Sequence, residues 1–294
     1  MYLANRLKAF IFIPMILFRV SLLFSVLFIA PFTTLFAQTA MDSHEPYSPV
    51  NMESRFSLDF DSYYFVAENK FFAFRPGFYY GLPGKRHVMG ITIPVVHSIF
   101  SGDFAGFDNT TGIGDIKFSY IGVPYASKDA LGLQKVSVFL DATAPTGNEQ
   151  LGRGAGAWVF KPGVVFTYRP DPSFYVFPQV NFQFSSARLN SLGGGDGVPD
   201  LEDPDSEDKL KVLSMSLPAT FVIDDWEGWI SLNPEYIQSF EEDTYFLFLR
   251  LDLGKMIGRR TSAALNITKF IAGQPRLETM FRFRINFFLD NQNR

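Results

Sequence analysis

The chain contains no cysteine. Disulfide scaffolds, thiolate metal centres, cysteine nucleophiles and a lipid-modified N-terminal cysteine are thereby excluded. Charge is also scarce. Asp, Glu, Lys and Arg make up 19% of the 294 residues and leave a net charge of −4, so nothing basic is concentrated enough to bind nucleic acid. Only three histidines are present, His44, His87 and His97, which leaves little material for imidazole chemistry. Beyond the N-terminus there is no unbroken apolar run of about 20 residues, so a bundle of membrane helices is excluded as well. What the chain does have is aromatic side chains, 17% of residues, with 34 Phe. Hydrophobic residues reach 47% while mean hydropathy stays near zero, so apolar and polar residues must alternate.

Residues 1–37 read as an export signal. Arg6 and Lys8 supply the positive start, an apolar run covers 9–32, and Leu35-Phe36-Ala37 before Gln38 resembles a cleavage site. Arg19 interrupts the run. A start at Met15 would make Arg19 the leading charge and leave 21–32 as a core of ordinary length. The competing reading is a retained transmembrane anchor; the strand pattern that follows favours cleavage. Residues 38–55 then form a polar lead-in expected in the periplasm, 56–289 a single β-domain, and 290–294 a polar tail.

Period-two alternation dominates the rest. Leu277, Thr279, Phe281, Phe283, Ile285, Phe287 and Leu289 share one face, with Glu278, Met280, Arg282, Arg284 and Asn286 on the other. A helix would scatter these phenylalanines, whereas a strand collects them on one side. Val136, Val138, Leu140 and Ala142 oppose Lys135, Ser137, Asp141 and Thr143 in the same way, and Phe56, Leu58 and Phe60 oppose Ser57, Asp59 and Asp61, with a weak point in the register at Ser62-Tyr63. Several runs reach ten residues or more, the length a tilted strand needs to cross a bilayer. Tyr79, Tyr80, Tyr125, Tyr168, Trp226 and Trp229 lie near strand ends, as aromatic girdles would. In lipid every backbone polar group must be paired within the protein, so the sheet must close.

The expected fold is therefore all-β, an antiparallel up-and-down transmembrane barrel of about twelve strands. They fall at 56–67, 71–80, 87–99, 112–123, 135–145, 156–169, 174–188, 209–223, 228–239, 244–254, 260–270 and 276–289. Long connections at 101–111, 146–153 and 189–208 fall on one side and tight turns mostly on the other, with 125–134 the longest exception.

Three patterns bring a family into view. Thr111-Gly112-Ile113-Gly114-Asp115-Ile116 starts one strand and Ala144-Pro145-Thr146-Gly147 ends the next. Leu151-Gly152-Arg153-Gly154-Ala155-Gly156-Ala157-Trp158, then Lys161-Pro162-Gly163, opens the one after. In order and spacing this resembles the outer-membrane barrels named for the MetA pathway of phenol degradation, most closely over residues 110–170. The resemblance implies a transporter-like barrel in the outer membrane, with its cargo undefined. The glycines also suit strands that bend at a barrel rim.

Asp59, Asp61, Lys117, Asp141, Arg250, Asp252, Arg282 and Arg284 are expected to point into the lumen, either to line a pore or to pair and plug it. The acidic stretch 193–208 resembles a single partial copy of a thrombospondin type 3 calcium repeat. Asp196, Asp200, Asp203 and Asp205 are its candidate Ca²⁺ ligands, against the plainer reading of a solvated acidic loop. No other cofactor is expected. Catalysis is not expected either: His97 and Ser98 are neighbours, so on a strand they point to opposite faces and cannot readily form a dyad. Three functions follow, in order of preference. The first is a passive channel or uptake protein for small molecules, apolar ones among them. The second is a non-transporting surface barrel with an ion-binding outer loop, and the third a barrel lipid hydrolase. The partners implied are outer-membrane lipids, the barrel-assembly machinery and a small-molecule cargo, with no nucleic acid.

Overall fold

A computed structural model describes residues 45–65, 69–99, 109–187, 210–240, 244–273 and 277–289. The strands are β1 (Arg55–Phe65), β2 (Lys70–Gly81), β3 (His87–Thr92), β4 (Val95–Ile99), β5 (Thr110–Ile113), β6 (Ile116–Ala126), β7 (Gly132–Ala144) and β8 (Val159–Asp171). They continue with β9 (Phe174–Val176), β10 (Gln179–Ser185), β11 (Lys211–Ser216), β12 (Ala219–Ile223), β13 (Gly228–Ser239), β14 (Thr244–Gly258), β15 (Thr261–Gly273) and β16 (Leu277–Phe288). Apart from two short 3₁₀ turns, no helix occurs among the described residues.

These segments make twelve staves, because four staves are each broken in two: β3 with β4, β5 with β6, β9 with β10, and β11 with β12. The expectation of continuous strands over 87–99, 112–123, 174–188 and 209–223 is corrected here. Proline is the cause at three of the breaks, since it has no N–H to give to the ladder. Pro94, Pro178 and Pro218 sit at these points, and their carbonyls still accept from Gly114, Phe166 and Phe177 across the gap at 2.8–2.9 Å. The fourth break falls at Gly114-Asp115. Every stave pairs antiparallel with its neighbours, and β1 pairs with both β2 and β16, so the sheet closes.

The short connections, such as 82–86, 127–131 and 172–173, gather at the end where β1 begins. The strand ends joined by the longest connections, at Ile99 and Thr110, Ala144 and Val159, and Ser185 and Lys211, lie at the other, as do those joined by short ones after β1, β13 and β15. We call these the turn end and the loop end. The expected exception at 125–134 shrinks to residues 127–131, because β6 runs to Ala126 and β7 begins at Gly132.

The outer wall carries the apolar half of each alternation. Phe60, Phe74, Phe118, Leu140, Phe182, Leu249 and Phe283 are all exposed there, and Phe60 packs on Phe74 at 4.8 Å between ring centres. Tyr80, Tyr125, Tyr168 and Trp226 stand exposed near strand ends, as a girdle requires. Tyr79 and Trp229 do not belong to it. Trp229 is buried, and Tyr79 lies inside beneath the Arg55 guanidinium, 4.1 Å from its ring centre. Both stand next to a residue of the outer face, so adjacency in sequence hid the change of side. Two further corrections concern register. At Ser62-Tyr63 the alternation continues unbroken, with Tyr63 buried inside. At Glu278 a bulge intervenes instead: Tyr64 pairs with Thr279 and Phe65 with Leu277, so Leu277 is turned inward and Glu278 is exposed.

Candidate functional site: the barrel lumen

The interior is layered along the barrel. At the turn end, Val88, Val123, Val165, Tyr175, Phe177 and Val222 form an apolar floor. Residues 45–54, ahead of β1, pack onto it. Val50 and Met52 are buried in that floor, and Tyr47 lies 5.0 Å from the Tyr175 ring. Polar contacts hold the segment in place. Lys135 reaches Glu45 at 2.6 Å, the Asn51 side chain donates to the Glu45 carbonyl, and the Gly81 N–H donates to Ser54 Oγ at 3.0 Å. Burial, with Tyr175 and Glu45 nearby, pushes the Tyr47 phenol far up, so it stays neutral. Nothing in the sequence beyond its two prolines hinted that this lead-in enters the barrel.

Above the floor lies a belt of charge. Asp61 is buried and accepts from three groups: Arg282 Nε at 2.7 Å, Arg75 Nη1 at 2.6 Å and the Tyr63 hydroxyl at 3.2 Å. Arg284 grips Asp59 through two bonds of 2.6 and 2.8 Å, the two-point geometry that planar guanidinium offers a carboxylate. Further round, Arg250 Nη2 donates to Glu235 at 2.9 Å, and Glu235 also accepts from Ser214. Lys117 and Asp141 stand 3.5 Å apart on the far wall. Asp252 is drawn aside: it accepts from Trp229 Nε1 at 2.8 Å and from Asn266.

Asp59, Lys117, Asp141, Arg250, Arg282 and Arg284 line an internal cavity of about 360 Å³. Of the other two candidates, Asp61 is sealed behind its guanidinium partners and Asp252 points into the wall. Three lining charges escaped the sequence reading: Arg75, Lys161 and Glu235. Their signal was present in the alternation, since Arg75 stands between Phe74 and Pro76 in a run whose Phe74 and Phe78 face outward. Asn181 Oδ1 and Asn233 Oδ1 also face this interior without a protein partner, acceptors suited to water.

Loopward of the belt is an apolar layer of Tyr63, Phe246, Phe248, Leu277 and Met280, with Ile237 and Phe270 packed against it. Ile237, Phe246, Phe248, Leu277 and Met280 line the same cavity as the arginines.

At the loop end the glycine-rich patterns form one folded rim. Asp115 is buried, and its two carboxylate oxygens accept from Gly147 N at 2.7 Å and Ala155 N at 2.6 Å. Burial pushes its carboxyl up while these backbone donors pull it down; burial is the larger effect. Thr146 Oγ1 accepts from Ile116 N, and Arg153 Nη1 donates to the Thr111 carbonyl. A Cβ on Gly154 would stand 2.7 Å from Asp115 Oδ1, so the loop can approach the carboxylate only as glycine. Neither histidine among the described residues does comparable work: His97 Nδ1 bonds Thr111 Oγ1 at 2.7 Å, with Ser98 buried on the other face, and His87 Nδ1 bonds the Tyr120 hydroxyl at 2.8 Å. Among the described residues no group of three or more potential ligands is placed to hold a metal. Asp196, Asp200, Asp203 and Asp205 lie outside the described residues.

A closed antiparallel barrel of twelve staves, apolar outside and charged within, is a transmembrane β-barrel of the kind that forms outer-membrane channels. The chain belongs to the family described as "Putative MetA-pathway of phenol degradation", whose model matches residues 39–187. Among solved structures it is similar to an outer membrane channel from Pseudomonas putida F1, with a TM-score of 0.63 and 13% identity, over 86% of this chain and 100% of that one. It is similar also to the NanC porin, with a TM-score of 0.53 and 8% identity, over 79% and 100%. The β-domain of the Bordetella autotransporter BrkA matches at a TM-score of 0.50 and 10% identity, over 81% and 100%. At such identities the likeness is one of fold. No curated protein sequence matches the chain.

Proposed function

We propose that the protein is exported by a cleaved signal over residues 1–37, resides in the outer membrane and lets small molecules pass passively through its lumen. One observation carries this reading. The cavity extends from Leu277 at its loopward end, past the charged belt, to Pro49 on the lead-in segment. The ion pairs along it lie within the wall, between neighbouring staves such as β1 and β16, and leave the space between walls unfilled. Charged and amide side chains keep that space wettable, which a conducting path needs. The lead-in segment narrows the turn end, so the expected conductance is small. This reading assigns no catalytic step to the adjacent His97 and Ser98 of β4, which are directed to opposite faces.

The test is a planar bilayer measurement on the mature protein, with folding checked by the gel-mobility difference between boiled and unboiled samples. Discrete small current steps from protein that shows the shift support the channel. Shifted, inserted protein that gives neither steps nor solute flux from liposomes points instead to a sealed surface barrel.

A further inference from the structure

The lumen joins two chemistries at one level. On β1, β13, β14 and β16 an apolar inward residue stands two positions loopward of a charged one: Tyr63 over Asp61, Ile237 over Glu235, Phe248 over Arg250, Met280 over Arg282. Two residues along a strand span about 7 Å. An aromatic and aliphatic surface therefore sits within one small-molecule length of a guanidinium row, and both border the same cavity of about 360 Å³. That size lies in the range of small-ligand sites.

The charges near this surface do not cancel. Arg75, Arg282 and Arg284 face Asp59 and Asp61, three guanidiniums against two carboxylates. Round the whole cavity six cationic side chains stand against four carboxylates, with Asp61, just behind the lining, counted among them. Asp61 is already saturated by Arg282, Arg75 and Tyr63, so it cannot absorb the excess. Each guanidinium carries five N–H donors, and the carboxylates take only part of them. Arg284 in particular keeps 42% of its side chain exposed to the interior. An excess cation beside an apolar wall selects a ligand with one negative charge on a flat apolar body.

We infer that the cavity between the Phe246–Phe248–Met280 layer and the Arg75–Arg282–Arg284 row is a binding site for small aromatic monocarboxylates. The ring lies on the apolar layer, and the carboxylate meets the arginines in the geometry that guanidinium favours. This rests on the lumen being the working part of the molecule, and it names the cargo class that the channel reading leaves open. Neutral aromatics would leave the excess charge unanswered, and aromatic amines would be repelled by it.

Isothermal titration of the mature folded barrel in detergent tests this with benzoate, benzyl alcohol, benzylamine and acetate. Saturable benzoate binding is expected, at least tenfold tighter than the other three. Arg75→Gln is the informative charge variant. It removes the local excess beside the apolar layer while Asp61 keeps Arg282 and Asp59 keeps Arg284, so folding is expected to survive, as the gel shift will show. It should weaken benzoate binding about tenfold. Phe248→Ala should weaken benzoate and leave acetate unchanged. Benzyl alcohol binding as tightly as benzoate, no heat on benzoate titration, or Arg75→Gln without effect would each overturn the site. Conductance without benzoate binding removes this inference and leaves the channel. Benzoate binding without conductance or flux does the reverse.

Discussion

Asp61 is where the interior is most sensitive to a single atom. Its carboxylate is buried and answers two guanidiniums and a phenol. Asp61→Asn keeps the shape and removes the charge, which leaves Arg75 and Arg282 close together with their shared counter-ion gone. Breaking a buried pair in this way costs about 3–5 kcal/mol. The unfolding midpoint in urea, read from the gel shift, should fall accordingly. Asp141→Asn is the control. Its pair with Lys117 is longer, 3.5 Å, and about a quarter to a third of each side chain is exposed, so the loss should be about 0–1 kcal/mol. The sequence showed which face these residues occupy, because period-two alternation needs no knowledge of the neighbours. It could not show that Asp61 serves two arginines or that Asp252 is taken by Trp229. Both facts depend on which strand lies alongside, and that is settled only on closure.

At the scale of elements, the rim built by residues 111–116 and 144–158 is held by backbone donors on one carboxylate. Asp115→Ala leaves Gly147 N and Ala155 N without their acceptor, at about 1–3 kcal/mol for each buried donor stranded. Amide hydrogen exchange at Gly147 and Ala155 should accelerate strongly while exchange in β13 to β16 stays unchanged. Acceleration throughout the barrel would mean that Asp115 supports the wall and not just the rim. These glycine patterns were visible in the sequence as a set and carried the family resemblance. Their shared purpose was not, because Asp115 meets partners 32 and 40 residues further along the chain. The prolines were legible in a different sense. Pro94, Pro178 and Pro218 sat in plain view inside apolar alternations, yet alternation survives a break when a prolyl carbonyl keeps the ladder joined. The bulge at Glu278 left no trace in the alternation at all.

For the molecule as a whole, closure was the most predictable property, since length, alternation and the need to pair every backbone group all demanded it. The entry of residues 45–54 into the lumen was the least predictable. A short polar stretch with two prolines has no period from which to read a partner, and its burial depends on the floor that five distant strands and Phe177 provide. A variant lacking residues 38–50 keeps Asn51 and Ser54, which anchor the start of β1, and loses Tyr47, Val50 and the Glu45–Lys135 contact. The barrel should still show its gel shift, and its single-channel conductance should rise at least twofold. An unchanged conductance would mean that the narrowest point lies elsewhere, in the charged belt or the apolar layer above it.

The seam between β1 and β16 bears on how the chain is made. Arg282 and Arg284 stand 221 and 225 residues after the aspartates they answer. Until that strand is in place Asp59 lacks its two-bond partner and Asp61 has only Arg75, so neither carboxylate is drawn cheaply out of water. The first strand is therefore kept from settling until the last one arrives. A polypeptide cut short before Arg282 carries that penalty permanently. The seam thus ties completion of the interior to the last strand of the chain: its charges are answered only when the sequence has been read to its end.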